Sequence, residues 1–213
     1  MKKFTNFIHS LEKELDKLPG MDAHLKMAPI TRLQELKNLC HTDEPKKSAV
    51  LILFFNENGK TKLVFIRRPV DTSVHSGQIA FPGGKYEEGD KELVNTALRE
   101  TWEEIGVDPK TINVIGPISK LYIPPSNFDV FPFVGYTKER PDFITNEEVD
   151  KLLEFDLDTL LNPDTFTTRE IKTRFGKLVD VPCYYIDNNI IWGATAMIVS
   201  ELIDIIKQTN SYS

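Results

Sequence analysis

The sequence predicts one α+β domain, a mixed sheet layered with helices. Two observations lead there. Strand-like and helix-like segments are interspersed without the regular strand–helix alternation of an all-parallel sheet. The chain of 213 residues is 40% apolar and carries 13 Phe, enough to fill a core of ordinary domain size, so global disorder is excluded. Internal repeats and low-complexity runs are absent from the sequence, so residues 1–213 read as a single unit with a helical extension over about residues 1–45.

The elements follow in order. Phe4, Phe7, Ile8, Leu11, Leu15 and Leu18 recur at three- and four-residue steps, a helical stripe that Pro19-Gly20 stops. A polar stretch with a short apolar-periodic piece, Leu33 to Leu39, comes next. Ser48 to Phe55 (SAVLILFF) predicts a buried strand, and Lys62 to Arg67 a second, joined as a hairpin through Asn56-Glu57-Asn58-Gly59. Gln78 to Phe81 predicts a short third strand ending at Pro82-Gly83-Gly84. Lys91 to Ile105 predicts a helix closed by Gly106. Strands are expected at Ile112–Ile118 and Val130–Tyr136, separated by Pro124-Pro125, and at Phe166–Arg174 and Val179–Tyr185, flanking Phe175-Gly176-Lys177. Ala194 to Ile206 predicts a strongly apolar helix. This helix (Val199–Ile206) and the first one read as packing elements or an oligomer contact, which leaves room for a homodimer.

Charge and cysteine content narrow the class. The formal net charge of −6 argues against non-specific binding to nucleic acid or to an anionic membrane. No apolar run approaches the roughly 20 residues of a membrane span, and the N-terminal lysines lead into acids rather than an apolar signal segment. Cys40 and Cys183 lie far apart without metal-ligand spacing, so a reduced, cytoplasmic protein is the expectation.

The informative stretch is Gly83 to Val107. On a helical wheel Leu93, Val94, Ala97, Leu98, Thr101 and Ile105 fill one arc. Glu100, Glu103 and Glu104 crowd at its edge, with Glu104 near the line of Leu93 and Ala97. Repulsion between i,i+4 carboxylates is worth only about 0.2–0.5 kcal/mol, so desolvation is the larger penalty on their charge. A bound divalent cation offsets both, and hard oxygen ligands suit Mg²⁺ or Mn²⁺. A solvated acidic face on an amphipathic helix is the alternative reading of the same residues.

Gly84, Asp90, Arg99-Glu100, Glu103-Glu104 and Gly106-Val107 together resemble the box motif of the Nudix hydrolases. Asp90 stands where the family usually has Glu, and the spacing from there to Arg99 is one residue longer than in the commonest form. The longer form, with the GGK start and TALRE (Thr96 to Glu100), is similar to the coenzyme A pyrophosphatase branch. The resemblance is direct over the box and weaker from Leu63 to the end, including Trp192-Gly193-Ala194-Thr195-Ala196.

It implies a Nudix fold, a mixed curved sheet between helices in an α/β/α arrangement, and attack of water on a phosphoric anhydride. Glu100, Glu103 and Glu104 then hold the metal, and Arg99 orients a carboxylate by a bidentate contact. Gly83 and Gly84 let the backbone pass close to metal or phosphate. Asp90 either braces the loop or caps the helix before Lys91.

Upstream, Arg68, His75, Gly77 and Phe81-Pro82-Gly83-Gly84 resemble the additional motif of the coenzyme A branch. Its internal Arg falls on Ser73 here, and Pro69 replaces a small or polar residue. Arg68 and His75 are candidate substrate contacts, against a solvated strand end and a loop histidine. Arg67 is expected to face the other side of the strand. Tyr122 to Phe128 walls a pocket or packs in the core. Glu148, in Asn146-Glu147-Glu148-Val149, is the candidate extra carboxylate, a base or further metal ligand, against a surface acid.

The resemblance thus implies a metal-dependent hydrolase for a small nucleotide substrate, a nucleoside diphosphate linked to another moiety, with coenzyme A or its derivatives first. The alternatives are an ADP-ribose or dinucleotide pyrophosphatase and, in another class, a non-catalytic ligand sensor on the same fold.

Overall fold

Twelve residues, Lys46–Glu57, form the strand β1 at the centre of the domain. Ala49, Leu51, Leu53 and Phe55 face one apolar layer and Ile52 and Phe54 the other, all fully buried. A strand covered on both faces must be apolar at consecutive positions, which is why it reads as an unbroken run. The computed structural model describes residues 2–29, 44–72, 75–172 and 178–209. The apolar-periodic piece at Leu33–Leu39, Cys40, Ser73 and the turn Phe175-Gly176-Lys177 lie outside the described residues.

β2 (Lys60–Arg67) returns antiparallel to β1 through Asn58-Gly59, both at positive φ (52° and 81°), the tight hairpin turn that matches strand twist. β3 (Ile79–Ala80) pairs with the end of β2, and β4 (Gly83–Lys85) lies beside β1. β5 (Asn113–Pro117) and β6 (Leu121–Ile123) both pair with β7 (Phe128–Tyr136). β7 runs parallel to β1 from Lys46↔Phe128 to Phe54↔Tyr136, which makes the sheet mixed. β8 (Lys151–Asp156) pairs with β2 on the side away from β3. A separate antiparallel sheet contains β9 (Phe166–Lys172), β10 (Leu178–Ile186) and β11 (Asn189–Trp192).

Helices cover both faces of the main sheet. On one side α1 (Lys2–Glu14) and α5 (Gly193–Gln208) share a core with Ile52, Phe54, Leu63 and Phe65. On the other, α3 (Leu93–Ile105) packs Ala97 and Ile105 on Ala49, Leu51 and Val64. Two further helices among the described residues, α2 (Met21–Leu25) and α4 (Leu157–Leu161), are short. The expected α+β class and α/β/α layering hold.

Several boundaries differ from the sequence reading. α1 stops at Glu14, and Leu18, expected on its stripe, is 37% exposed. α3 starts at Leu93 rather than Lys91, because Glu88–Asp90 form a 3₁₀ turn and Lys91 takes a positive φ of 63°. β4, β6, β8, β11 and α4 were not expected. All but β8 have three to five residues, too few for periodicity to register.

The extension is tied to the last helix. His24 Nε2 donates to Glu201 Oε2 at 2.8 Å, and Gly20 N–H donates to Glu201 Oε1 at 3.0 Å. Ser200 Oγ donates to Ala23 O at 2.8 Å. Burial pushes the Glu201 carboxyl up, but hydrogen bonds from His24, Ser119 and Gly20 outweigh it and hold the group below its ordinary value. The first and last helices therefore act as packing elements here.

Candidate active site

α3 carries its carboxylates to the sheet because its apolar arc is fixed on β1 and Gly106, at a positive φ of 75°, ends it cleanly. That rotation buries Glu104, 1% exposed, on the arc's edge. Its Oε2 accepts the Gly83 N–H at 2.8 Å. Desolvation pushes the Glu104 carboxyl up to about 8; the Gly83 hydrogen bond and the Arg68 charge oppose this, while Glu100 and Glu148 add to it. Glu100 is also raised, first by burial and further by Glu103 and Glu148, with Arg99 pulling the other way. Glu103 stands apart, its side chain 45% exposed and its Oε2 3.0 Å from Arg99 Nη1.

The two glycines make room for these carboxylates. A Cβ on Gly84 would overlap the Glu100 carboxylate, and one on Gly83, at a φ of 149°, would overlap the β1 backbone at Ala49 and Val50. Gly84 thus leaves room for the Glu100 carboxylate, and Gly83 for the neighbouring strand.

Asp90 braces the loop ahead of α3. Its Oδ1 accepts from Arg99 Nε at 2.8 Å, and its Oδ2 accepts from Arg99 Nη2 at 3.0 Å, Thr96 Oγ1 at 2.8 Å and Glu87 N–H at 3.0 Å. Those bonds, the Arg99 pair above all, hold its carboxyl far below the usual range. Arg99 thus makes its bidentate contact with Asp90, not with a cluster glutamate, and its Nη1 reaches Glu100 at 3.1 Å. Helix capping falls to Glu92 rather than Asp90, without a side-chain bond. Thr96 was missed by sequence reasoning. Its position six residues after Asp90, on the buried arc of α3, was the available signal.

Glu148 is exposed, in a loop pinned to the end of α3. Ile144 N–H and Asn146 N–H donate to the carbonyls of Ile105 and Glu104, at 3.0 and 3.2 Å, so the loop satisfies carbonyls at the C-terminus of α3. Asn146 Oδ1 then accepts the Glu148 N–H at 2.9 Å, and Val149 is buried behind it. The Glu148 charge is felt at both Glu100 and Glu104. Arg68 is felt at Glu104 from the opposite loop. His75 makes a local bond, Nδ1 to Gln78 Oε1 at 3.1 Å. The structure therefore gathers Arg99, Glu100, Glu104, Gly83 and Gly84, brings Arg68 and Glu148 within electrostatic reach, and leaves Glu103 and His75 at the margin.

Among the described residues, no three His, Cys, Asp or Glu side chains form a ready-made metal cage. The donor chemistry fits a hard cation all the same. Two carboxylates, Glu100 and Glu104, share a desolvated position that disfavours their charge until a proton or cation neutralises it. Glu103 joins them only by turning away from Arg99.

The NUDIX domain profile matches residues 45–175, and the chain belongs to that family, whose members hydrolyse pyrophosphate bonds in small nucleotide substrates. The uncharacterized Nudix hydrolase NudL of Pectobacterium atrosepticum is 32% identical over 176 residues, 81% of this chain and 90% of the relative. NudL of Yersinia pestis is 35% identical over 158 residues, 74% of this chain and 78% of the relative. Among solved structures, the MutT protein of Methanosarcina mazei is 18% identical with a TM-score of 0.49, covering 78% of this chain and 99% of that one. No helix among the described residues is long and apolar enough to cross a membrane.

Proposed function

We propose that this chain hydrolyses the diphosphate of a nucleoside diphosphate linked to another moiety, with coenzyme A and its derivatives as the substrate class, using Mg²⁺ or Mn²⁺. The observation that carries the substrate reading is the placement of Arg68. It follows the last residue of β2, at the start of the loop that returns through His75 and Gly77 to Phe81-Pro82-Gly83-Gly84, and its charge acts on Glu104. A guanidinium there sits beside the carboxylates, where a nucleotide phosphate needs a cation.

Glu100 and Glu104 are the ligands for the metal, with Glu103 completing the set once released from Arg99. When held there, a divalent ion would supply charge neutralisation for the diphosphate and polarisation of a phosphoryl oxygen. The chain's own residues do the rest. Arg99, locked on Asp90, fixes the register of the loop against α3. Glu148 takes a proton from the attacking water as its oxygen bonds to phosphorus and the anhydride P–O bond breaks. Arg68 holds a phosphate of the substrate.

The alternative substrates, ADP-ribose and dinucleotides, remain a second reading because Ser73 supplies no guanidinium to the loop. Phosphate-ester release with Mg²⁺ or Mn²⁺, measured over coenzyme A, ADP-ribose and dinucleotides, tests the assignment. Arg68→Ala should raise KM for coenzyme A and spare ADP-ribose, and Ser73→Arg should improve coenzyme A use. Absence of coenzyme A cleavage in both wild type and Ser73→Arg favours the second reading.

A further inference from the structure

β10, β11 and α5 lie beyond the residues matched by the NUDIX domain, yet two of their side chains reach the strand pair that holds the substrate loop. Asn189 Oδ1 accepts from Arg67 Nη2 at 2.7 Å. Thr195 Oγ1 donates to Ile79 O at 2.9 Å. Arg67 and Ile79 are partners across β2 and β3, the last pair before the chain leaves the ladder for the loop. Arg68 N–H then donates to Gln78 O at 3.0 Å, and Gly77 N–H to Pro69 O at 3.1 Å. The two tethers therefore hold the two roots of the segment that carries Arg68 and His75.

We propose that Asn189 and Thr195 are positioning residues through which the C-terminal hairpin and helix set how the loop presents Arg68. The proposal rests on the reading of Arg68 as a substrate contact. β3 has only two residues, too short a ladder to define its own position. The anchors, by contrast, are rigid. Asn189 is buried, and its Nδ2 donates to Asp187 O at 2.9 Å in a turn whose two residues, Asp187 and Asn188, have positive φ. Thr195 stands in the first turn of the 16-residue α5, whose apolar face fills the core. Arg67 also meets the loop on its other flank: its carbonyl accepts the Asp150 N–H at 2.9 Å, and its guanidinium lies 3.9 Å from Asp150. A loop rooted this way loses less freedom when substrate binds, so the tethers act on KM rather than on the reacting bond.

The test uses the full chain, the best substrate of the panel, and amide hydrogen exchange without substrate. Thr195→Val removes the hydroxyl at nearly constant shape. It should raise KM about five-fold with kcat within about two-fold, and speed exchange at the Arg68 and Gly77 amides. Thr195→Ser should restore both readouts, and Asn189→Ala should behave like Thr195→Val. In an Arg68→Ala background, Thr195→Val should add no further rise in KM. Unchanged exchange at Arg68 and Gly77 in Thr195→Val and Asn189→Ala overturns the proposal, as does a loss that Thr195→Ser fails to rescue. Faster exchange with KM unchanged in both Thr195→Val and Arg68→Ala supports the positioning and refutes Arg68 as a substrate contact.

Discussion

The Glu104 carboxylate and the Gly83 backbone nitrogen are 21 residues apart in sequence and 2.8 Å apart in space. One hydrogen bond thus ties the helix that bears the acids to the turn that faces them. It also partly offsets the desolvation that pushes Glu104 up to about 8.

Glu104→Gln keeps the side chain's shape and an acceptor for Gly83 while removing charge. Glu104→Gln and Glu100→Gln should each lower kcat by about two orders of magnitude or more. Without metal, melting temperatures at pH 9 should match or exceed wild type, because the neutral amide carries no buried charge. Mg²⁺ should raise the melting temperature of wild type more than that of either variant. Near-normal rates at saturating metal in both variants overturn the ligand assignment.

Gly83 and Gly84 should separate stability from chemistry. Gly83→Ala drives a Cβ into the β1 backbone at a φ of 149°, and should cost about 3 kcal/mol or more. Gly84→Ala meets only the end of the Glu100 side chain, which can swing aside. It should cost about 1 kcal/mol of stability yet reduce kcat by displacing a ligand. Chemical denaturation alongside kinetics checks both; equal stability losses would contradict the geometry.

Glu148→Gln should lower kcat by about 10²–10⁴-fold with metal affinity nearly unchanged. Glu147→Gln, the neighbouring acid in the same stretch, is the control. A larger loss in Glu147→Gln would mean the wrong residue carries the role. No loss in either would leave proton transfer to a box glutamate or to solvent.

Glu201 gives a pH signature. Its folded pKa lies below the ordinary 4.5, so its contribution is fully present above that value and is lost as pH falls through the folded pKa. Glu201→Gln should destabilise the protein by about 1–3 kcal/mol at neutral pH, because the His24 and Gly20 hydrogen bonds lose their charged acceptor. The gap between wild type and variant should close only on acidification below 4.5, read by denaturant titration at successive pH values.

What the sequence made legible followed pattern length. β1 announced itself through Leu51 to Phe55, since burial on both faces leaves no polar interruption. The α3 face was legible because its thirteen residues carry more than three turns of periodicity. Glu148 needed a resemblance, because an exposed acid in a loop has no pattern of its own. The pairing of Arg99 with Asp90 was hidden by the loop between them, where Lys91 turns at positive φ. The tethers from Asn189 and Thr195 are contacts over 122 and 116 residues of sequence, and no local signal encodes a partner that far away.

The clasp between the extension and the last helix has a consequence for how the chain is made. Phe4, Phe7, Ile8 and Leu11 share their core with Ile198, Val199, Leu202 and Ile206, and His24 reaches Glu201 across 177 residues. During synthesis α1 emerges long before α5 and must wait for it. Until then its apolar stripe has no final seat, and closing so long a separation slows the search. Shortening the chain within α5 should therefore leave α1 exposed in a sticky, protease-sensitive product, even though every carboxylate of the Nudix box is already in place.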